Sequence, residues 1–139
     1  MTTADSLRLF GLCPSDTELE TIRRLLKREA ELESSGSGAE REEDLALLCC
    51  VQLFARAQPE DILLIWSAKR SGMDLGGAID VQLLCGMGLE ETKRFLVSSE
   101  APRSDEAYRY ILECEESGDF KDFSRDEHLD HYRAYFEVL

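Results

Sequence analysis

The feature that most constrains the fold is an apolar segment in the first half of the chain. Between Glu42 and Pro59 the apolar residues fall on almost every side of a helical wheel: Leu45, Leu48, Cys49, Val51, Leu53, Phe54 and Ala55. A helix that is apolar nearly all round has to be buried on several sides. The sequence therefore predicts a helix that begins near Glu42, ends before Pro59 and lies inside the protein.

Helix start and stop signals divide the chain before and after this segment. Ser15 and Glu18 have the spacing of a capping box, and the leucines and isoleucine that follow recur at helical spacing, which predicts a helix over 16–33. The Ser-Ser-Gly-Ser-Gly sequence at 34–38 is typical of a flexible linker, predicted at about 34–39. Pro59 suits the first position of a further helix over 59–71.

The second half of the chain carries the same kind of signals. They predict a helix after Asp74 that runs through Cys85, a helix with Glu90 and Glu91 in its first turn, and helices that begin at Ser104 and Ser124. A shorter helix fits residues 5–12. No run of alternating β-branched residues suggests a strand. The sequence predicts an all-α fold with six or seven short helices.

The connections between these helices are short, about two to six residues from residue 42 onward. Short connections make neighbouring helices roughly antiparallel. We therefore expect one domain over 1–139, built of stacked antiparallel hairpins. A solenoid-like stack and an irregular helical bundle both remain open, because no sequence repeat is present.

The charge of the chain limits its partners. The 139 residues include 29 acidic and 16 basic ones, a net charge of −13, and residues 104–139 alone contribute −7. A surface this negative repels phosphate, which argues against nucleic acid and anionic membranes. It favours the approach of a basic protein, although charge also serves solubility alone. The oligomeric state is left open.

Cysteine usage points to a reducing compartment. The chain has five cysteines, an odd number, without a C-x-x-C pair: Cys13, Cys49, Cys50, Cys85 and Cys114. Several lie in apolar runs, where a thiol packs as a small apolar side chain. The first residues lack the features of a secretion signal, and no apolar stretch reaches about 20 residues. We expect reduced, mostly buried thiols and a cytoplasmic protein.

One candidate site is the pair His128 and His131 with Glu127. These residue types can bind zinc or another divalent ion, and on a helix they share a face. The metalloprotease pattern H-E-x-x-H is absent, because these histidines are three apart. A charged, exposed face opposite Leu129 and Tyr132 is the favoured interpretation.

A second candidate is a pocket formed by Trp66, Lys69, Arg70 and Asp80. Asp80 is expected in the middle of an apolar helix, where an unpaired carboxylate is costly. Lys69 and Arg70 end the preceding helix and are the expected counter-charges. The group could be a binding or proton-transfer pocket. A structural ion pair is the favoured interpretation.

Other chemistry has little support in the sequence. The acids from Asp119 to Glu127 do not alternate as calcium ligands do, because Lys121 and Phe123 interrupt them. Phosphate-loop, dinucleotide and nucleophile-elbow motifs are absent, so we expect no cofactor and no catalytic residue.

The leading hypothesis is a non-catalytic module whose acidic helical surface binds another protein. Small acidic immunity proteins that neutralise toxins fit this description, as do many unrelated domains. The alternative is a small helical enzyme or a metal- or small-molecule-binding protein that uses Asp80 with Lys69, or His128 with His131.

Overall fold

The computed structural model describes residues 1–138, and within them it contains eight α-helices and no strand. The helices are α1 (Thr3–Phe10), α2 (Asp16–Ser34), α3 (Leu45–Arg56), α4 (Ile62–Lys69), α5 (Met73–Ala78), α6 (Leu89–Ser98), α7 (Ser104–Glu116) and α8 (Arg125–Tyr135). Short 3₁₀ turns cover Gly38–Glu40, Pro59–Asp61 and Val81–Leu84. The all-α prediction is confirmed, with eight helices rather than six or seven because the short N-terminal helix also forms.

Helix α3 is the centre of the structure. Every residue from Leu45 to Ala55 is buried. The covering elements include α1, α2, α5 and α8, which come from all parts of the chain. In a solenoid each helix contacts only its neighbours in sequence. Direct packing of α3 on α8 therefore makes this fold an irregular bundle.

The prediction of one continuous helix from Asp74 to Cys85 is wrong. Helix α5 ends at Ala78, and Asp80 has extended backbone (φ −74°, ψ 151°) before the 3₁₀ turn Val81–Leu84. Gly76 and Gly77 weaken a helix at this point, because glycine loses the most backbone entropy on folding. The buried Lys69 also supplies a partner for the carbonyl groups of Gly76 and Ile79, which a longer helix would otherwise bond. The helix therefore stops before Asp80.

The Ser/Gly segment after α2 forms a defined turn. Ser37 N–H donates to Leu32 O at 2.8 Å, and Gly38 begins a 3₁₀ turn. The buried Glu33 carboxylate accepts bonds from Arg41 Nε at 3.2 Å and from Asp74 N–H at 3.0 Å. A Cβ on Gly72 would come within 2.5 Å of the Glu33 side chain. Glycine at that position therefore leaves room for the carboxylate to join α2 to α5.

Burial of the cysteines agrees with the sequence pattern. Four thiols are buried and Cys13 is exposed; the five are free. Burial raises the pKa of the Cys49 and Cys85 thiols to about 12, so both are protonated at neutral pH. None of the helices in residues 1–138 combines the length and apolar character needed to cross a membrane.

Candidate functional site

The structure divides the predicted pocket of Trp66, Lys69, Arg70 and Asp80 between different places. Trp66 and Arg70 line an open cleft between α4 and α7, whereas Lys69 and Asp80 do not line it. The expectation that Lys69 and Arg70 pair with Asp80 is wrong. The reason is that Asp80 follows the end of α5 instead of lying within a helix, so its side chain reaches α8.

Asp80 forms a cluster with His128 and Tyr132, called here the Asp80 cluster. Its Oδ2 atom is 2.6 Å from His128 Nε2, and its Oδ1 atom accepts a hydrogen bond from the Tyr132 hydroxyl. Burial by itself raises the pKa of Asp80, but the bonds from His128 and Tyr132 outweigh it, so the pKa is lowered. The carboxylate is therefore ionised at neutral pH, and both of its oxygens have a donor.

Lys69 is buried beside this cluster without bonding to it. Its ammonium group donates to Gly76 O at 2.7 Å and to Ile79 O, and it lies 5.7 Å from the centre of the Tyr110 ring. Burial lowers the pKa of Lys69, and the nearby Asp80 charge partly opposes that shift. Lys69 thus bonds the carbonyl groups at the end of α5. It offsets the negative charge of Asp80 by electrostatic attraction, without a hydrogen bond to it.

The two histidines have different surroundings. The ring of His128 lies edge-on to Phe54 (5.6 Å between centroids), Phe123 (5.8 Å) and Tyr132 (5.4 Å). His131 is exposed and stacks on His128 at 6.0 Å. The expectation of an exposed position is wrong for His128, whose side chain is only 18% exposed because Asp80 and the aromatic rings draw it inward.

The candidate metal ligands are not gathered around a common point. Glu127 is exposed, and its backbone N–H donates to the Ser124 cap at 3.3 Å. His128 Nε2 is already bonded to Asp80. Across residues 1–138 no three histidine, cysteine, aspartate or glutamate side chains are close enough to hold a metal ion.

The cleft between α4 and α7, called here the α4–α7 cleft, has a volume of about 600 Å³ and opens to solvent. Its lining residues are Trp66, Arg70, Arg103, Asp105, Glu106, Arg109, Tyr110 and Glu113. Trp66 is 1% exposed, and its Nε1 atom has no hydrogen-bond partner within the described residues. A buried donor without an acceptor costs free energy, and native structures contain few of them. This N–H is therefore the most unusual polar group in the cleft.

Aromatic and cationic groups surround this indole. The Arg70 guanidinium lies 5.6 Å from the centre of the Trp66 ring, and the Tyr110 ring lies 5.1 Å from it on a tilted plane. Arg103 Nη2 donates to Glu106 at 3.0 Å, while Arg70 Nε is 3.7 Å from the same carboxylate. Arg109 has no ion pair within the described residues.

Glu106 is the carboxylate at the centre of these donors. Its pKa is lowered, first by the hydrogen bond from Arg103 and next by the charges of Arg103 and Arg70. The Trp66 N–H is close enough to add a smaller contribution, although it does not reach hydrogen-bond geometry. The site therefore already stabilises one carboxylate of its own chain.

Sequence reasoning missed the α7 side of this cleft. Glu106 and Tyr110 are four residues apart, as are Arg109 and Glu113, so the four side chains form a stripe on one face of α7. That stripe is visible in the sequence and could have been noted. Nothing in the sequence says that it faces Trp66, because the contact between α4 and α7 joins segments about 40 residues apart.

His128 also lines a second, smaller cavity of about 220 Å³ near the last connection. Gln82, Lys121 and Ser124 are among its other lining residues. An imidazole oriented by a carboxylate can act as a general base where a substrate reaches its free nitrogen. Ser124 also lines this cavity, but its hydroxyl caps α8.

Comparisons with protein-family models, curated proteins and solved structures give no match to this chain. Its function is therefore inferred from the geometry of the α4–α7 cleft and the Asp80 cluster.

Proposed function

We propose that the protein is a non-catalytic interaction module that binds another protein at the α4–α7 cleft. The observation that carries the proposal is the composition of the cleft, which is lined by Trp66, Tyr110 and three arginines and includes the unpaired, buried N–H of Trp66. Tryptophan, tyrosine and arginine are the residues that contribute most of the free energy in protein interfaces. A concave site with these residues at its centre suits one anchoring side chain of a partner.

The charge of the protein supports a basic partner. The net charge is −13, and the cleft wall on α7 belongs to the most acidic third of the chain. Such a field accelerates the encounter with a positively charged protein and slows the encounter with an acidic one. A small acidic protein that neutralises a basic toxin is one example of this arrangement.

Site-specific photo-crosslinking tests the proposal. A photoreactive amino acid would replace Glu113, an exposed residue at the cleft, and, as the matched control, Lys27 on the exposed side of α2. In the cells that produce the protein, we expect one discrete crosslinked product from position 113. Position 27 should give none. Equal products from both positions, or none from position 113, would contradict the proposal.

A second candidate function is proton transfer at His128, because Asp80 orients its ring beside the 220 Å³ cavity. The Asp80→Asn variant distinguishes the two candidate functions. Loss of proton-transfer activity with unchanged crosslinking at position 113 would favour the second, whereas the first expects crosslinking at position 113 to survive wherever the variant is folded.

A further inference from the structure

The α4–α7 cleft holds more hydrogen-bond donors than the chain itself uses. Trp66 is 1% exposed and its indole N–H is unpaired among the described residues. Within the same part of the chain, the one ion pair of the Arg70 guanidinium is its 3.7 Å contact with Glu106. Arg109 lies on the same α7 stripe without an ion pair in the part of the chain described. An occupant that satisfies the deepest of these donors must present an acceptor.

The geometry of the donors narrows the kind of acceptor. Guanidinium groups offer a planar fork of N–H donors that matches carboxylate and phosphate oxygens. Asp105 and Glu113 are also at the cleft, where they would repel a doubly charged phosphate more strongly than a carboxylate. Glu106 already places a carboxylate against Arg103, with Arg70 and Trp66 close by.

We propose that the α4–α7 cleft recognises a carboxylate of the partner protein, with Trp66 Nε1, Arg70 and Arg109 as its donors. In the free protein Glu106 partly occupies this donor set. Its side chain is 46% exposed and forms a surface ion pair with Arg103, so it can turn toward solvent when the ligand arrives. This inference rests on the proposed function. A partner that is basic overall and carries one carboxylate at the centre of its interface meets both requirements.

The chain offers a direct reporter for this site, because Trp66 is its only tryptophan. Its indole N–H therefore gives a single side-chain resonance in a ¹H–¹⁵N NMR spectrum. A new hydrogen bond to a carboxylate moves that proton resonance downfield. The probe is N-acetylglutamate methylamide, and the matched neutral control is N-acetylglutamine methylamide, which has the same shape without the charge.

We expect a saturable downfield shift with the glutamate probe and an affinity roughly tenfold lower for the glutamine probe, since a hydrogen bond to a charged group is worth more than a neutral one. Arg70→Gln and Arg109→Gln should each lower the affinity for the glutamate probe. Arg94→Gln, which removes an exposed arginine from α6, should leave its affinity unchanged. Glu106→Gln should tighten binding, because it removes the competing charge.

Three results would overturn the inference: no indole shift at saturating glutamate probe, equal response to the two probes, or tighter binding of inorganic phosphate. The crosslinking experiment separates this failure from failure of the proposed function. A crosslinked product at position 113 without a response to the glutamate probe would support the interaction module and reject carboxylate recognition. A carboxylate response without any crosslinked protein would do the reverse.

Discussion

In the Asp80 cluster both carboxylate oxygens have a hydrogen-bond donor, whereas in the α4–α7 cleft the indole N–H of Trp66 has no acceptor among the described residues. Both regions place polar groups among aromatic rings. The first joins α8 to the turn after α5, so its bonds connect segments about 50 residues apart. The residues of the second line an open volume of about 600 Å³.

Whether the polar groups are paired therefore distinguishes a structural cluster from a candidate binding site more clearly than residue type does. A partly buried polar network with all its members paired, such as the Asp80 cluster, holds segments together, and its loss lowers stability. A buried donor without a partner destabilises the free protein by about 1–3 kcal/mol, and a ligand that brings an acceptor removes this cost. Substitutions at the Asp80 cluster should therefore change stability, whereas substitutions at the cleft should change binding.

The largest effect is expected from Asp80→Asn. The amide keeps one acceptor, but its NH₂ group then faces a donor from His128 or Tyr132, so we expect a loss of about 1–3 kcal/mol in the free energy of unfolding. Urea unfolding at neutral pH measures it. The control Asp130→Asn removes an exposed carboxylate that pairs with Arg133 on the same helix, and should change stability far less. A variant as stable as the parent would mean that Asp80 belongs to a functional site.

Acidic pH should remove most of the difference in the free energy of unfolding between the parent and Asp80→Asn. The pKa of Asp80 is lowered in the folded state, so its stabilisation is present above the unfolded pKa of about 3.9 and is lost as the pH falls through the lower, folded value. The gap between the parent and Asp80→Asn should therefore persist at neutral pH and shrink below about pH 4. Unfolding curves for both proteins at a series of pH values give the gap directly. A gap that widens in acid would contradict the ionised, hydrogen-bonded carboxylate.

Tyr132→Phe should have a smaller effect. The substitution removes the hydroxyl that donates to Asp80 Oδ1 and leaves the bond from His128 in place, which should cost about 1 kcal/mol. Tyr135→Phe is the control, because Tyr135 lies on the exposed side of α8 and its hydroxyl donates to Asp44. In thermal unfolding, Tyr132→Phe should have a lower midpoint temperature than Tyr135→Phe. The same loss for both would show that the cluster contributes no more than a surface bond.

The smallest effect on stability is expected at the cleft. Arg70→Gln and Arg109→Gln change exposed side chains, so each should alter the free energy of unfolding by less than about 0.5 kcal/mol. The same variants are expected to weaken carboxylate binding. Parallel unfolding and NMR titrations measure both quantities on one sample. A loss of stability above about 1 kcal/mol would make these arginines structural and would remove the contrast between the two regions.

The contacts of His128 show what a local pattern leaves out. Its spacing from His131 correctly places both residues on one helix, but its partners Asp80 and Phe54 lie 48 and 74 positions earlier in the chain. A prediction from spacing assigns faces relative to one helix. It does not say which other helix covers a given face.

The sequence by itself determined the all-α class, the central buried helix and most helix boundaries. Those features depend on local causes: capping side chains, the periodicity of apolar residues, and glycine or proline at the ends. It also placed Trp66 and Arg70 together, because they are one turn apart at the end of α4. Only the tertiary structure decided that Asp80 bonds to α8, that Lys69 holds the end of α5, and that the α7 stripe forms the second wall of the cleft. These outcomes depend on contacts between distant segments, which are set by how the helices pack together and not by local sequence.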